Sequence, residues 1–285
     1  FKKIKIKKKR GSINMKKIKK IISVIIIISL FFTYATVSVY ANSTEPVTEK
    51  TTCKVLKGAE LAQIRSKYSI TAKTEKITYL KAVFNHFGMN EKAVEYLDDK
   101  KINSLAEADE FGYKTLTIKE ESKGLSSASR EFEVMSLALV WGRNGSTYDI
   151  AATQEWKTLP TMRSDDIISL DLGGGSVVTG SQCAALMYSN NGTIYTEEFT
   201  NQSPEYIGIQ SACAFKIGLP TSADELGMFI SYSVTKYSTD NTISMQYFHK
   251  WSPWVFSISV SYYAGISVSP SSIFTEYSLQ CGTAN

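Results

Sequence analysis

Histidine, the side chain best suited to proton transfer near neutral pH, occurs only twice, as His86 and His249. His86 lies in Phe84-Asn85-His86-Phe87, where the edge of a packed helix suits it better than a reactive site. His249 stands in Tyr247-Phe248-His249-Lys250-Trp251, in or just after a strand. No G-x-S-x-G nucleophile turn and no H-E-x-x-H metal pair accompanies either. Cys213 with His249 would make a thiol-protease pair, but nothing in the local sequence favours that over a disulfide. Carboxylates occur as neighbours at Asp165-Asp166, Glu197-Glu198 and Asp224-Glu225. Consecutive strand residues point to opposite faces, so such neighbours do not by themselves build a glycosidase dyad. No catalytic residue, cofactor or metal is assigned, and an enzyme is not expected.

Four cysteines, Cys53, Cys183, Cys213 and Cys281, permit two disulfides in three pairings. Their wide spacing and the lack of C-x-x-C argue against a metal site. Cys183 with Cys213 is the favoured disulfide, because both fall in expected strands; the alternative is free buried thiols. The run Asp171-Leu172-Gly173-Gly174-Gly175-Ser176, after Ile167-Ile168-Ser169, resembles the phosphate loop of the actin-like ATPase and exopolyphosphatase superfamily. Successive glycine N–H groups suit an anion. The second glycine motif and the βαβ alternation of that superfamily are missing, so a hairpin turn is expected instead. The best candidate contact surface is Tyr247 to Trp254. There Trp251 and Trp254 flank a Ser-Pro turn and, with Tyr247, could stack on a sugar or enter a membrane interface. The competing reading has them close one end of a core. Asp240-Asn241 and the acidic turns lack the repeating oxygen-ligand spacing of a Ca²⁺ loop.

The elements that would carry these residues follow from the two ends of the chain. Eleven of the 32 basic residues lie in the first twenty positions, before an apolar run from Ile21 to Phe32 and then Val39-Tyr40-Ala41. A basic n-region, an apolar h-region and small residues before the cut describe a secretory signal peptide cleaved after Ala41. The alternative is retention of Ile21 to Ala41 as an anchor. Met15 opens a complete signal peptide by itself, so residues 1–14 are expected to be upstream sequence read in frame. After Ala41 there remain 21 basic and 27 acidic residues, a net charge of −6, which reverses the +5 of the whole chain. An acidic chain without a basic cluster argues against nucleic acid. A secreted or wall-associated location is expected, with a surface ligand, another protein or a membrane as partner.

Residues 42–125 read as a polar leader and a small helical subdomain. Ile77, Leu80, Val83, Phe84 and Phe87 recur at helical spacing, with Gly88 placed as a C-cap. Asn90 can cap a second short helix that turns Val94 and Leu97 inward, and Ile102, Leu105 and Ala106 suggest a third. Residues 126–285 have period 2, with turn residues at Asn144-Gly145, Gly173-Gly174-Gly175, Asn190-Asn191-Gly192 and Asp240-Asn241. The fold class expected is mainly β: an antiparallel β-sandwich preceded by the helical subdomain. Its most regular stretch, Phe256 to Ser269, alternates apolar residues with serine and reads as one long strand bent at Gly265. The same alternation is found in the membrane-crossing hairpins of pore-forming toxins, and this makes a β-pore the alternative function.

Around Tyr148-Asp149-Ile150, Trp156-Lys157-Thr158-Leu159-Pro160-Thr161-Met162-Arg163-Ser164-Asp165 and the helical Phe87-Gly88-Met89-Asn90 to Tyr96-Leu97, the chain resembles uncharacterised exported proteins of Firmicutes. Those proteins join a short helical N-terminal region to a β-rich tail with a W-x-x-x-P-x-x-R-x-x-D pattern. The resemblance carries no activity and transfers no functional residue. The Lys/Ile-rich leader agrees with an AT-rich Gram-positive source. The reading reached is a secreted or wall-associated, non-enzymatic binding module.

Overall fold

The computed structural model describes residues 47–48, 53–87, 89, 91–123, 129–208, 212–237, 242–250, 257–261, 265–269 and 274–282. The expected leader with its expected cleavage site, Gly88, Asn90 and Asp240-Asn241 lie outside these residues.

Alternating apolar residues make sixteen strands among the described residues: β1 (Val47–Thr48), β2 (Lys54–Lys57), β3 (Glu110–Lys123), β4 (Ser129–Asn144), β5 (Thr147–Trp156), β6 (Asp165–Leu172), β7 (Gly175–Val177), β8 (Cys183–Asn190), β9 (Thr193–Thr200), β10 (Tyr206–Gly208), β11 (Ala212–Gly218), β12 (Glu225–Lys236), β13 (Thr242–Lys250), β14 (Ser257–Ser261), β15 (Gly265–Ser269) and β16 (Phe274–Gly282). All pairings are antiparallel. One sheet runs β1-β3-β4-β5-β12-β8-β9, with β2 on β3 and β7 on β12; a second runs β10-β11-β6-β13-β16. The fold is therefore mainly β, two antiparallel sheets face to face, as expected.

One core lies between the sheets. Leu137, Leu139 and Trp141 of β4 and Ile230, Tyr232 and Val234 of β12 meet Ile168 and Leu170 of β6 and Phe215 of β11. The residues that alternate with these, such as Ala138, Val140, Phe229 and Ser231, point away from this core, as period 2 requires. Ala138, Val140, Ala151 and Phe229 join a second core beneath the helices. Three helices cover that face: α1 (Gly58–Arg65), α2 (Lys73–His86) and α3 (Asp99–Ala106), with a 3₁₀ turn over Glu91–Tyr96. Burial on both faces explains why β12 is buried almost continuously from Leu226 to Val234.

The helices form where the apolar spacing places them. Tyr79, Leu80, Val83 and Phe84 of α2 are buried, as are Val94, Ile102 and Leu105. At the start of α2, Glu75 accepts from the Ala72 N–H (2.8 Å) and the Thr71 hydroxyl (2.7 Å). These bonds hold its carboxyl below the usual range, the Ala72 N–H contributing most. The helices share a core with the sheet rather than enclosing one of their own, and β3 enters the sheet within the stretch read as helical subdomain.

Two readings of strands are corrected. Phe256 to Ser269 is no single strand: β14 and β15 turn back on each other and pair in a two-stranded ribbon apart from both sheets. In that register even-numbered residues pair with even-numbered ones, so both strands keep the same phase of alternation. Pattern alone cannot separate the two geometries. The run Gly173-Gly174-Gly175 is likewise more than a hairpin turn. It carries the chain from β6 in one sheet to β7 in the other, with Gly174 at φ 67°. A Cβ on Gly175 would lie 2.2 Å from Val234 Cγ1, so the corner needs glycine for close approach.

Candidate functional site

Three places gather polar or exposed groups: a buried cluster inside the sandwich, a second under α3, and the edge strand β9. The first stands at the end of β6 and β13, where Asp166 and His249 lie one residue beyond the last register pair, Ile167 with Phe248. Both are fully buried, and His249 Nδ1 lies 2.9 and 3.0 Å from the two Asp166 oxygens. Tyr247 donates its hydroxyl hydrogen to Asp166, Lys250 N–H donates to it at 3.1 Å, and Trp156 Nε1 donates to the Tyr247 oxygen at 3.2 Å. Burial, then the Asp166 charge, pushes the Tyr247 phenol well above its ordinary range and keeps it a donor. Hydrogen bonds from three directions compensate the buried carboxylate.

This cluster places two sequence candidates. Tyr247, expected on a contact surface with Trp251 and Trp254, is at 0% exposure and ties the two sheets together instead. Its odd-numbered position on β13 shares the inward face with Ile243 and Met245. Trp251 and Trp254 lie outside the described residues. His249 is not paired with Cys213: their strands are separated by β6, and the registers set Cys213 level with Met245, four residues from His249. That offset is about 13 Å along the strand.

The favoured Cys183–Cys213 disulfide is corrected. Cys53 is bonded to Cys281, joining the chain just before β2 to β16 of the other sheet, while Cys183 and Cys213 are free thiols. The reason is facing: Cys213 points into the core between the sheets, and Cys183 points under the helices. Strand membership, the basis of the expectation, does not report facing.

The second cluster lies where α3 crosses β5, β8 and β12. Lys101 is 1% exposed. Its Nζ donates to Cys183 Sγ at 3.3 Å and lies 3.6 Å from Asp98 Oδ2. Cys183 Sγ is 3.7 Å from the Tyr96 carbonyl. On the same sheet face, Ser233 donates to Asp149 Oδ1 at 2.5 Å. Ser231 Oγ is buried there without a hydrogen-bond partner. Burial raises the Asp149 carboxyl above its usual range, opposed by hydrogen bonds from Ser104 and Ser233 and by the Lys101 charge. Burial also raises the Cys183 thiol, against Lys101. Sequence reading missed this cluster; a lysine beside Ile102 on an apolar helix face was its only visible sign.

Other motif residues prove architectural. Arg163 donates to the carbonyls of Thr221 (2.7 Å) and Ala223 (2.8 Å), fastening the β5–β6 loop to the β11–β12 loop. Asp165 faces outward to Lys216 at 3.3 Å while its neighbour Asp166 faces inward. Asp224 accepts from the Asn191 N–H at 2.6 Å and holds the β8–β9 turn. His86 is exposed and rests its ring on Phe87. Among the described residues no group of three or more His, Cys, Asp or Glu is placed to hold a metal ion, and no helix is long and apolar enough to cross a membrane.

The third place is β9, the last strand of its sheet. All its residues but Phe199 are exposed, with Ile194 at 65% and Tyr195 at 44%. A two-residue turn joins it to β8, Asn191 and Gly192 having φ of 51° and 76°. These angles describe a type I′ turn. In such a hairpin the closing pair Asn190–Thr193 exchanges both backbone hydrogen bonds, and alternate residues do so thereafter. Ile194, Thr196 and Glu198 therefore turn their N–H and C=O groups away from β8. Thr200 belongs to the same set, and its N–H is already taken by Ser203 Oγ at 2.9 Å.

No family model and no curated protein matches the chain. Among solved structures, the collagen-binding domain of Erysipelothrix rhusiopathiae surface protein RspB is similar over 62% of this chain and 65% of its own, at 10% identity and a TM-score of 0.28. The collagen-binding subdomain of Enterococcus faecalis surface protein ACE matches 47% of this chain and 88% of its own, at 9% identity and a TM-score of 0.28. A structure described as manganese lipoxygenase of Gaeumannomyces graminis with part of zonadhesin of Komagataella pastoris matches 60% of this chain and 59% of its own, at 8% identity and a TM-score of 0.30. The chain spans less than two thirds of the length of that structure and of the RspB domain. Likenesses at this level leave function to the chain's own residues.

Proposed function

We propose that the protein is an exported, non-enzymatic binding module that takes up an extended, basic polypeptide segment along β9. The observation that carries this reading is an edge strand exposed on both faces, with the backbone groups of Ile194, Thr196 and Glu198 turned outward. Edge strands are ordinarily blunted by charged side chains, lysine above all, by proline or by a covering element; residues 193–200 contain neither lysine nor proline, and Glu197 and Glu198 are their only charges. Such an edge suits strand addition, where main-chain bonds give affinity and alternate side chains give selectivity. Charge selects the partner: Glu197 and Glu198 lie on β9, and no Lys or Arg occurs between Arg163 and Lys216.

The test replaces Thr196 by proline. Its N–H points outward, so the substitution spares the pairing to β8 while closing the edge. Titration with an alternating Val-Lys peptide should show binding that salt weakens, that Thr196→Pro abolishes, and that a Val-Glu peptide lacks. Equal binding by the Thr196→Pro protein would contradict the proposal.

A second reading, insertion into a membrane, is favoured by the β14–β15 ribbon. Its register pairs Ile258 with Val268 and Val260 with Ile266, and Ser257 and Ser259 with Ser269 and Ser267. The register thus pairs apolar residues with apolar residues and serine with serine, the alternation of a strand pair between lipid and water. Each strand has five residues, against the ~9–11 needed to span a bilayer, so insertion requires the flanking residues as well. Dye release from liposomes supports this reading; intact vesicles and a monomeric protein dismiss it.

A further inference from the structure

We propose that Lys101 and Cys183 join covalently through a bridging oxygen, Nζ–O–Sγ, when the protein meets dioxygen. Lysine is rarely buried in full, yet this one is 1% exposed and has its Nζ 3.3 Å from the sulfur. The groups that hold it are a thiol, which is a weak acceptor, and Asp98, whose side chain is 48% exposed. Packing of α3 on β8 keeps the two atoms in contact, so placing one oxygen between them asks for only a small approach. Ser231 supplies the second observation. It lies directly across from Cys183 in the β8–β12 register. Its hydroxyl is buried there with no hydrogen-bond partner, available to donate to an oxygen formed on that face.

The step balances with dioxygen as the only co-reactant. The S–H bond and two N–H bonds of the ammonium are lost, and S–O and O–N bonds form. Sulfur and nitrogen each give up two electrons, and dioxygen takes all four. One oxygen atom remains in the bridge; the other leaves as water with two of the hydrogens. The third is released as a proton, for which Asp98, 3.6 Å from Nζ and open to solvent, is the exit. The product fastens α3 to β8, the strand that carries the β9 edge. The inference is independent of the binding reading.

Peptide mass mapping of the full chain, purified in air and compared with a sample prepared without oxygen and with dithiothreitol, tests it. The aerated protein should yield a linked peptide pair containing Lys101 and Cys183, heavier than the two peptides together by one oxygen and lighter by two hydrogens. Reductant should remove it, and Lys101→Arg and Cys183→Ser proteins should not form it. Unlinked peptides after prolonged aeration would overturn the proposal, as would a link without oxygen or Cys183 found only as a sulfinic acid or mixed disulfide. The readout is made on the unsubstituted protein, so a variant that fails to fold leaves the result intact.

Discussion

Asp166 receives hydrogen bonds from Tyr247 and from the Lys250 N–H, with His249 against both its oxygens, all of it out of reach of water. Removing one donor exposes how much the arrangement contributes. Tyr247→Phe keeps the ring and deletes the hydroxyl, which leaves Asp166 short of a donor and Trp156 Nε1 without its acceptor. Leaving such groups unsatisfied costs about 1–3 kcal/mol, so urea denaturation should show a loss of that size; an unchanged midpoint would contradict the role given to the hydroxyl. Asp149 makes a different prediction. Burial raises its carboxyl above the ordinary range, so the folded state holds the proton more tightly than the unfolded chain does. Its favourable contribution is complete below the unfolded pKa and is lost as pH rises through the folded value. An Asp149→Asn protein does not titrate there. Its stability should gain on that of the unsubstituted protein as pH rises from the acid range toward neutral, followed by denaturation at a series of pH values. A gain by the unsubstituted protein would reverse the sign and refute the assignment.

At the scale of elements, Gly112 and Trp141 face each other across β3 and β4. A Cβ on Gly112 would lie 2.1 Å from the indole, so the ring lies over the glycine and fills its place. Gly112→Ala should destabilise by about 1–3 kcal/mol through overpacking and shift the Trp141 fluorescence; an unaltered spectrum and midpoint would count against that packing. The glycine also shows what the sequence holds. Helical spacing at Leu80, Val83 and Phe84 and the turn at Asn190-Asn191-Gly192 state their structures locally, and both are found where the pattern sets them. Which sheet a strand joins is not local: β6 and β7 are three residues apart in the chain and lie in different sheets. Alternation that keeps the same phase in β14 and β15 hides their antiparallel pairing for the same reason. The Cys53–Cys281 bond spans 228 residues, and no spacing rule reaches that far. The Lys101 and Asp166 clusters depend on which face each residue takes, which only the assembled registers decide.

For the whole molecule, two sheets and a helical layer leave β9 as an exposed edge among the described residues, and residues 42–285 carry a net acidic charge. Tyr247 belongs to the core, Trp251 and Trp254 lie outside the described residues, and the contact surface proposed instead is β9, at the end of the other sheet. The proposal that β9 receives an added strand is tested most directly by amide hydrogen exchange with an alternating Val-Lys peptide bound. A strand added at this edge uses the outward N–H groups of Ile194, Thr196 and Glu198 and leaves those of Tyr195 and Glu197 bonded to β8 as before. Exchange should slow at the first three and stay unchanged at the other two, with no effect in the Thr196→Pro protein. Protection absent from all five amides, or confined to residues 257–269, would contradict the account.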